Sequence, residues 1–395
     1  MISFDEAVHL IRSLARPLGT ERVPLAEAAG RVLAAPVIAQ IDSPRVDVSA
    51  MDGYAVREDD LATFPAALSL AGESFAGSGW NGTVMADSCA RIFTGAPVPA
   101  GADRVIMQEN VRREGDVAVI DAPPGTSRHI RMRGSDFHKG DELLPAGRLV
   151  DARAIVAAAG ADVSDVEVFR QPSVHILSTG DELAEPGTAR DRVDAIPESV
   201  SFGVAALANQ WGATFAGRTR LQDDMPSMQS AAAAALETAD VMVVTGGASV
   251  GERDFAKAMF EPLGLELLFS KISIKPGMPV WVGRVADRLV VGLPGNPTSA
   301  MVTARLVLAP FLAGLAGRST DDALSWRPMP LRSALPECGL RETFHRARLT
   351  AGGAELLSFQ DSSAQKALAD ADLLVRRRAN APAMSAGRMV EVLDF

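Results

Sequence analysis

The chain has few of the residues that build disulfide frameworks and metal centres. Among its 395 residues are only two cysteines, Cys89 and Cys338, which lie far apart and have no metal-ligand spacing. A disulfide framework or a structural zinc site is therefore not expected, and a reducing cytoplasm suits this composition. The five histidines are scattered, which also argues against a histidine-based metal site.

Signals for membranes and export are scarce as well. No uninterrupted apolar segment approaches the length of a membrane span. The start, MISFDEAVHLIRSL, lacks the basic residues and apolar run of a signal peptide and carries Asp5 and Glu6. We therefore expect a cytoplasmic protein without a membrane partner.

The charge of the chain is one-sided. A formal net charge of −10 argues against nucleic acids and anionic membranes as general partners. It does not exclude a small anionic ligand, because a few Arg and Lys residues can dominate one cleft. Since 47% of the residues are hydrophobic, the chain can bury a sizeable core, and its length suits two to four domains.

The pattern of the sequence changes along the chain. Ser3 and Glu6 form a capping box before apolar residues at helical spacing, which predicts a helix over about residues 4–15. In residues 22–150, Gly and Pro break short apolar runs about every ten residues, which is typical of a small β domain.

From residue 173 to about 310, strand-like runs alternate with helical segments. This alternation predicts a parallel sheet with both faces covered. After residue 317 the pattern is again that of β-structure.

Three turns that follow predicted strands carry the strongest signals of a binding site. They read STGDE at 178–182, TGGASVGERD at 245–254 and GLPGNPT at 292–298. Ligands of open parallel sheets lie at the carboxyl ends of the strands, so we expect all three turns at one edge. Their glycines allow close approach of the backbone, which predicts a site for an anionic, phosphorylated small molecule.

Two of these turns offer groups for an oxyanion. Asn296 suits a helix N-cap and Pro297 the first helical position, so this helix start would present free N–H groups and a positive dipole end. Ser249 can donate to an oxyanion, and Asp254 can hold a magnesium-bound water or a ribose hydroxyl. The alternative is a pair of structural turns.

Acidic pairs occur at two places, one after a predicted strand and one before a predicted helix. Asp181 and Glu182 are candidate magnesium ligands beside a phosphorylated ligand, although carboxylates at a strand end are more often helix caps. Asp223 and Asp224 form a similar pair before another helix, and alone such a pair is most often a solvated cap.

Two lysines lie in the segment SKISIKPG. If this segment is a strand, alternation places Lys271, Ser273 and Lys275 on one face. They are then either protective lysines of a wet edge strand or a clamp for a tetrahedral oxyanion.

The β region contributes three further polar turns, SAMDGYA at 49–55, RIFTGAP at 91–97 and RMRGSD at 131–136. They supply Asp52, Thr94 and Asp136. Each turn, taken alone, fits an ordinary structural turn.

Together these segments closely resemble the MoeA family, the molybdopterin molybdenumtransferases, whose animal counterpart is the E domain of gephyrin. The matching stretches are SAMDGYAV, IFTGAPVPAGADRVIMQE, STGDEL, TGGASVGERDF, IKPG and GLPGNPTSA. They occur in family order from about residue 49 to 300, and a series of long motifs in this order is highly specific.

The resemblance implies a multidomain fold of α/β and β parts. An N-terminal helix and a small α/β linking domain would span 1–42 and 138–170, with a β domain inserted at 43–137. A parallel, MogA-like α/β molybdopterin-binding domain would span 171–318, and a C-terminal β barrel 319–395. The resemblance also implies a homodimer whose active cleft lies between the α/β domain of one subunit and the β domain of the other.

The resemblance further implies an enzyme with adenylylated molybdopterin and molybdate as substrates. Magnesium-assisted hydrolysis would release AMP while molybdenum joins the dithiolene, which gives the molybdenum cofactor. Molybdate, a tetrahedral dianion, suits Lys, Ser and N–H groups, and the pyrophosphate suits magnesium held by carboxylates. The implied partners are an adenylyltransferase of the MogA type and molybdoenzymes or their chaperones.

Position in the motifs assigns roles to single residues. The resemblance implies catalytic roles for Asp52, Thr94, Asp136, Asp223 and Asp254, and metal binding by Asp181 and Glu182. It implies cofactor binding by Gly246, Gly247, Ser249, Lys271, Lys275, Pro294, Asn296 and Pro297.

The chain departs from the family pattern in places. Met278 stands where the family often has a lysine, and the stretch 194–199, with Pro197 and Glu198, replaces a usual Asp-Ser/Thr-Asn. Residues 339–346 and 360–363 match the family only loosely. These departures favour one alternative, a catalytically impaired paralogue that acts as a molybdenum-cofactor binding or scaffold protein.

A second alternative is an adenylyltransferase of the MogA type, built on the same α/β domain. That activity would not need Asp52, Thr94 or Asp136, so their presence argues against it.

Overall fold

The N-terminal helix forms as its capping box predicts. The computed structural model describes residues 1–246 and 255–395. In helix α1, Phe4–Leu14, Ser3 Oγ accepts the Glu6 N–H at 3.1 Å and the Glu6 carboxylate accepts the Ser3 N–H at 2.7 Å. The apolar face of α1 packs into the core of the central sheet described below, not into the separate cluster around β1 and β12.

A small unit is assembled from two separate stretches of chain. Strand β1 (Thr20–Pro24) pairs with β12 (Asp165–Phe169), and β2 (Val37–Ile38) pairs with β11 (Glu142–Leu144), both antiparallel. Helix α2 (Ala152–Gly160) covers them and is capped by Asp151, whose carboxylate accepts the Ala154 N–H at 2.8 Å.

An insert of β-structure lies between these two stretches. Its short strands β3 (Val48–Ser49) and β10 (Ile130–Arg131) pair with each other. The chain enters and leaves the insert side by side, because Ser43 and Phe137 form a β-bridge and the Ser43 N–H donates to the Phe137 carbonyl at 2.9 Å.

The main sheet of the insert, called the insert sheet, has the spatial order β7-β4-β6-β5-β9-β8. Its strands are β4 (Gly53–Val56), β5 (Ala66–Ser74), β6 (Ser88–Ile92), β7 (Arg104–Met107), β8 (Arg112–Glu114) and β9 (Val117–Ile120).

The central sheet has the order β16-β13-β17-β21-β20-β18. Its strands are β13 (Ser173–Thr179), β16 (Thr214–Leu221), β17 (Val241–Thr245), β18 (Glu266–Ser270), β20 (Trp281–Val285) and β21 (Arg288–Leu293). The predicted parallel arrangement is confirmed for β16, β13, β17 and β21. Strand β20 runs antiparallel to β21, because the two-residue connection between them is too short for a crossover.

Both faces of the central sheet are covered, which explains its continuous apolar strands. In β17, Val241 and Val243 join the core on one face, and Met242 and Val244 join the core on the other. The covering helices are α3 (Val200–Gln210), α4 (Met225–Thr238), the short α5 (Phe255–Ala258), and α6 (Pro297–Thr303) continuing through a π-helical turn (Ala304–Leu308) into α7 (Ala309–Leu315). Short strands β14 (Leu183–Ala184) and β15 (Ile196–Pro197) pair beside the sheet.

The helical segment Pro297–Leu315 is the one part of the described chain that is long and apolar enough to cross a membrane. It contains Arg305, so it is not an uninterrupted apolar run. Of this segment, 89% is buried inside the protein, where α1, α3 and the C-terminal strands cover it.

The amino ends of the central strands are tied together by one carboxylate. Asp240 accepts hydrogen bonds from Arg170 at 3.0 Å, from the Ser173 hydroxyl at 2.8 Å and from Arg288 at 2.7 Å. Burial alone would raise the pKa of Asp240, but these hydrogen bonds outweigh it and hold the pKa below its ordinary value. The ligand edge described below lies at the opposite ends of these strands.

The C-terminal sheet has the order β19-β23-β25-β26-β22, with β24 paired to β23. Its strands are β19 (Ile274–Lys275), β22 (Arg327–Pro330), β23 (Glu342–Thr350), β24 (Gly353–Leu356), β25 (Leu373–Arg377) and β26 (Met389–Asp394), with helix α8 (Gln365–Ala369) before β25. A bridge between Leu331 and Ala354 joins its two ends, so β22–β26 enclose a small core as a barrel.

Candidate functional site

A cavity of about 660 Å³ lies at the carboxyl edge of the central sheet. Because β13, β16, β17 and β21 are parallel, the turns that follow them share this edge, as predicted. The predicted residues that line the cavity are Glu182, Asp223, Gly246, Pro294, Asn296 and Pro297.

The turn after β13 is fixed against the turn after β16. Gly180 has a φ of 143°, and its N–H donates to the Leu221 carbonyl at 3.2 Å. The Asp181 carboxylate accepts the Asp223 N–H at 3.1 Å. Asp181 therefore holds the backbone of Asp223 in place, while Glu182 and Asp223 reach the cavity wall.

Two glycines allow the turns after β13, β17 and β21 to touch. Gly246 has a φ of 89°, and a Cβ there would lie 2.6 Å from the Thr179 carbonyl oxygen. A Cβ on Gly295 would lie 3.4 Å from the Gly246 Cα. The predicted residues Gly247, Ser249 and Asp254 follow directly in the chain and lie outside the described residues, so their roles stay predictions.

The start of α6 differs from its prediction in one respect. Asn296 and Pro297 occupy the N-cap and first helical positions, as expected. The Asn296 side chain does not cap the helix, however, but donates to Ser362 Oγ at 3.1 Å, and the Thr298 N–H donates to the Ser362 carbonyl at 3.1 Å. The loop before α8 thus docks on this helix start, which is less free to bind an anion than the sequence suggested.

The cavity also contains residues that the sequence did not single out. Ser199, Ser363 and Gln365 line it, and Gln365 Nε2 lies 3.5 Å from Ser199 Oγ. The loop that supplies Ser363 is far away in sequence, so its place at the cavity follows from the docking of the C-terminal sheet.

Glu198, one of the departures from the family pattern, also lines this cavity. It is 3% exposed, accepts the Ser201 N–H at 2.9 Å and lies 3.6 Å from Arg218. Its carboxylate therefore caps helix α3. An acidic residue three positions before Ser201 at a helix start was the signal for this role.

A second cavity of about 420 Å³ adjoins the first, because Pro279 lines both. Its polar walls come from the turn after β19, the start of α6 and the C-terminal sheet, and include Lys275, Ser299, Arg341, Thr343, Gln360 and Ser362. One guanidinium nitrogen of Arg341 lies 3.7 Å from the sulfur of Met278. Arg341 thus brings a cation to the place where the family's usual lysine is absent.

The charges around this second cavity are mostly positive, because Lys275 and Arg341 line it beside the carboxylate of Asp361. Burial, together with the nearby charges of Arg377, Lys275 and Arg346, lowers the pKa of His345 to about 4. Arg346 is fully buried, and within residues 1–246 and 255–395 none of its guanidinium nitrogens has a hydrogen-bond partner. Arg346 itself lines neither of the two cavities, but its charge acts on His345, which lines the second one.

The alternation suggested that Lys271 and Lys275 share one face of a strand, but in the structure they do not lie on one regular strand. The φ of 66° at Lys271 ends β18 and turns the chain from the central sheet towards the C-terminal sheet, where β19 begins only at Ile274. Ile272 and Ile274 are nevertheless buried, so the alternating burial was correct. Lys271 lines neither of the two cavities.

No group of three or more His, Cys, Asp or Glu side chains forms a metal site within the described ranges. Magnesium needs fewer protein ligands, because it is usually held by one or two carboxylates together with waters and phosphates. Glu182 and Asp223 on the cavity wall, with Asp181 behind them, are a donor set of this kind.

A second group of predicted residues lies at an edge of the insert sheet. Asp52 Oδ1 accepts both the N–H of Thr94 at 2.7 Å and its hydroxyl at 2.8 Å. The backbone hydrogen bond from Thr94, then its hydroxyl, and the charge of Arg91 hold the pKa of Asp52 below its ordinary value. Asp52 is therefore an ionised, pre-positioned carboxylate.

Asp136 is not brought to this pair by any contact in the described structure. It is exposed beside the crossing of the chain into the insert, where its N–H donates to the Ser43 carbonyl at 3.0 Å. None of Asp52, Thr94 and Asp136 lines the cavities of the central sheet. Within one chain, the predicted site residues thus form separate sets.

The fold and the cavities define the class of protein. It is a multidomain α/β protein with a small-molecule cavity at the carboxyl edge of its central sheet, an inserted β sheet and a C-terminal barrel.

Comparison with known proteins narrows this class to one family. Residues 2–161 match the MoeA N-terminal region (domain I and II), and residues 175–314 match a probable molybdopterin binding domain. A molybdopterin molybdenumtransferase of Haemophilus influenzae is 37% identical over 348 residues, 88% of this chain and 84% of the relative. One of Synechococcus elongatus is 32% identical over 407 residues, 99% of both chains.

A solved structure agrees with these relatives. The crystal structure of a molybdopterin biosynthesis MoeA protein of Pyrococcus horikoshii matches with a TM-score of 0.84 and 25% identity over 100% of both chains. The chain belongs to the molybdopterin molybdenumtransferases, a family of transferase enzymes, which confirms the resemblance seen in the sequence.

Proposed function

We propose that this chain is a molybdopterin molybdenumtransferase that hydrolyses adenylylated molybdopterin with Mg²⁺ and inserts molybdate, giving molybdenum cofactor and AMP. The observation that carries this proposal is the meeting of two unlike cavities at Pro279. One is walled by carboxylates and Gly-rich turns, and the other is cationic. The pair suits a phosphorylated, metal-bound substrate held next to an oxyanion.

In this proposal the larger cavity binds the phosphorylated pterin. Gly246, Pro294, Asn296 and Pro297 line it, and Gly247 and Ser249 continue the same turn in sequence. Backbone N–H groups of such turns bind phosphate oxygens without adding bulk.

Magnesium would be held by Glu182 and Asp223, with Asp181 positioning the Asp223 backbone and Asp254 as a further candidate. When bound, it would supply Lewis-acid polarisation and a template for the pyrophosphate. The protein itself would place the carboxylates of Glu182 and Asp223 at the cavity wall.

The smaller cavity would receive molybdate. Lys275 and Arg341 supply positive charge, and the hydroxyls of Ser299 and Thr343 can donate to a tetrahedral oxyanion. His345 is neutral near pH 7 and adds no charge, because its pKa is about 4.

We also propose that a homodimer completes the site. Asp52 and Thr94 form a pre-positioned pair at the edge of the insert sheet and line neither cavity of the central sheet in their own chain. In this proposal the insert of a second subunit brings them to the larger cavity. Asp136 would act from the same insert. We propose four domains, which span 1–42 with 138–170, 43–137, 171–318 and 319–395. We further propose that the enzyme is cytoplasmic. In this proposal an adenylyltransferase of the MogA type supplies its substrate, and molybdoenzymes or their chaperones receive its product.

The deciding assay mixes purified protein with adenylylated molybdopterin, Mg²⁺ and molybdate, and follows AMP release and cofactor formation. We expect both products, and AMP release is expected to stop when Mg²⁺ is removed with a chelator.

A second candidate is a scaffold that holds the cofactor without turnover, which Met278 in place of the family's lysine favours. A wild type that binds the pterin but releases no AMP would support the scaffold and reject the transferase.

A further inference from the structure

Two phenylalanines emerge at the same edge of the insert sheet as Asp52. Strands β5 and β6 run parallel with Ser74 opposite Ile92, and β4 runs antiparallel to β6 with Gly53 opposite Ile92. Phe75 follows β5, Phe93 follows β6, and Asp52 precedes β4. The topology therefore gathers these residues and Thr94 at one edge.

The two phenylalanines form an ordered stack. Their ring centroids lie 4.7 Å apart with an interplanar angle of 13°. The guanidinium of Arg91 lies 4.7 Å from the Phe93 centroid and is fixed by bonds to the Gly53 carbonyl at 2.9 Å and Gln108 Oε1 at 2.6 Å. Phe93 is thus held in place, and Phe75 packs on it.

The outer ring of this stack stays open to a ligand. Phe75 is 43% exposed, and reciprocal backbone hydrogen bonds of 3.1 Å between Phe75 and Ser78 close the turn that carries it. A single exposed phenylalanine is ordinary. Here the ring is pre-positioned on Phe93, the residue next to Thr94, whose hydroxyl and N–H bind Asp52.

We propose that Phe75 is a stacking platform for a planar nitrogen heterocycle of the substrate. This rests on the proposed function, whose adenylylated substrate carries two such rings, adenine and pterin. The flat aromatic face offers stacking without demanding a particular ring. Asp52 Oδ1 takes both Thr94 bonds, which leaves Oδ2 to face the bound substrate.

The platform gives the insert a second task beside its carboxylate. By holding one ring of the substrate at Phe75, it places the phosphate end of the same molecule near Asp52 and Thr94. The insert thus recognises the substrate and does not merely supply a catalytic group.

Calorimetric titration of the full-length protein with AMP, ribose 5-phosphate and free pterin tests the platform. Phe75→Ala is expected to weaken AMP binding about 5- to 150-fold, the range of one lost aromatic–base stack, and to leave ribose 5-phosphate binding unchanged. Phe75→Trp is expected to retain AMP affinity. Phe215→Ala is the matched control, because Phe215 is also 43% exposed but lies at the amino end of β16.

The outcomes show whether Phe75 stacks on adenine or on the pterin, and they test the platform separately from the proposed transferase function. If Phe75→Ala weakens pterin binding and not AMP binding, the platform holds the pterin. Equal affinities of wild type and Phe75→Ala for both probes, or a wild type that binds neither, overturn the platform. Loss of the proposed function is detected separately, as a wild type that releases no AMP from the adenylylated substrate.

Discussion

The carboxyl edge of the central sheet and the edge of the insert sheet both carry polar residues at strand ends, but only the first encloses space. Helices and the docked loop before α8 wall the central edge into a cavity of about 660 Å³. The insert edge presents Asp52, Thr94 and Phe75 without such walls. A pre-positioned carboxylate that lines neither cavity of the central sheet is the reason for proposing that a second subunit completes the site.

The largest effect should come from removing the carboxylate of the open edge. We expect Asp52→Asn to lower the rate of AMP release about 100-fold or more, the size typical of a lost positioned acid–base or ligand group. Rapid-quench measurement of AMP checks this, with circular dichroism to monitor folding. Near-normal turnover would show that the Asp52–Thr94 pair is a structural turn.

A mixing experiment tests whether the two edges belong to different subunits. Asp52→Asn and Glu182→Gln should each be inactive, yet an equimolar mixture that exchanges subunits should regain about a quarter of wild-type activity, because half of the dimers then carry one intact site. No recovery after verified exchange would place both edges in one chain.

Removal of a positive charge from the smaller, cationic cavity should lower the affinity for molybdate. We expect Lys275→Ala to raise the KM for molybdate about 10-fold, the value of one charge-assisted hydrogen bond, with little change in kcat at saturation. Lys139→Ala, an exposed lysine beside the chain crossing, is the control. An unchanged KM in Lys275→Ala would remove the smaller cavity from the reaction.

The smallest effect concerns His345. Because burial and neighbouring cations lower its pKa to about 4, His345 is uncharged from pH 6 to 8. His345→Gln should therefore keep molybdate affinity within about twofold over this range. An increase in wild-type affinity from pH 8 to 6 that is absent in the variant would contradict this assignment.

His345 should also affect stability below neutral pH. In the unfolded chain His345 has its ordinary pKa of 6.5, so it binds a proton as the pH falls below 6.5. In the folded protein it binds this proton only near pH 4. Stability should therefore fall as pH drops from 6.5 to 4, and thermal melts of His345→Gln should show a smaller fall.

Local patterns in the sequence predicted several of the elements. The capping box located α1, and the apolar run at β17 correctly indicated a strand buried on both faces. Strand ends followed by Gly-rich turns correctly predicted the cavity edge, because parallel topology alone brings those ends together.

What depended on contacts between distant segments could not be predicted. The docking of Ser362 on the start of α6 joins residues over 60 positions apart, and no local signal marks it. The turn at Lys271 broke the expected alternation, because a lysine with a left-handed backbone is not visible in a pattern of polarity. Phe75 was missed since its partner Phe93 is a neighbour only across strands.

The β-bridge between Ser43 and Phe137 has a consequence for how this architecture arose. Because the chain leaves and re-enters the small unit at adjacent points, 43–137 could have been acquired in one event, without re-routing the strands on either side. A short linker from 42 to 138 should likewise yield a deletion protein that keeps both cavities.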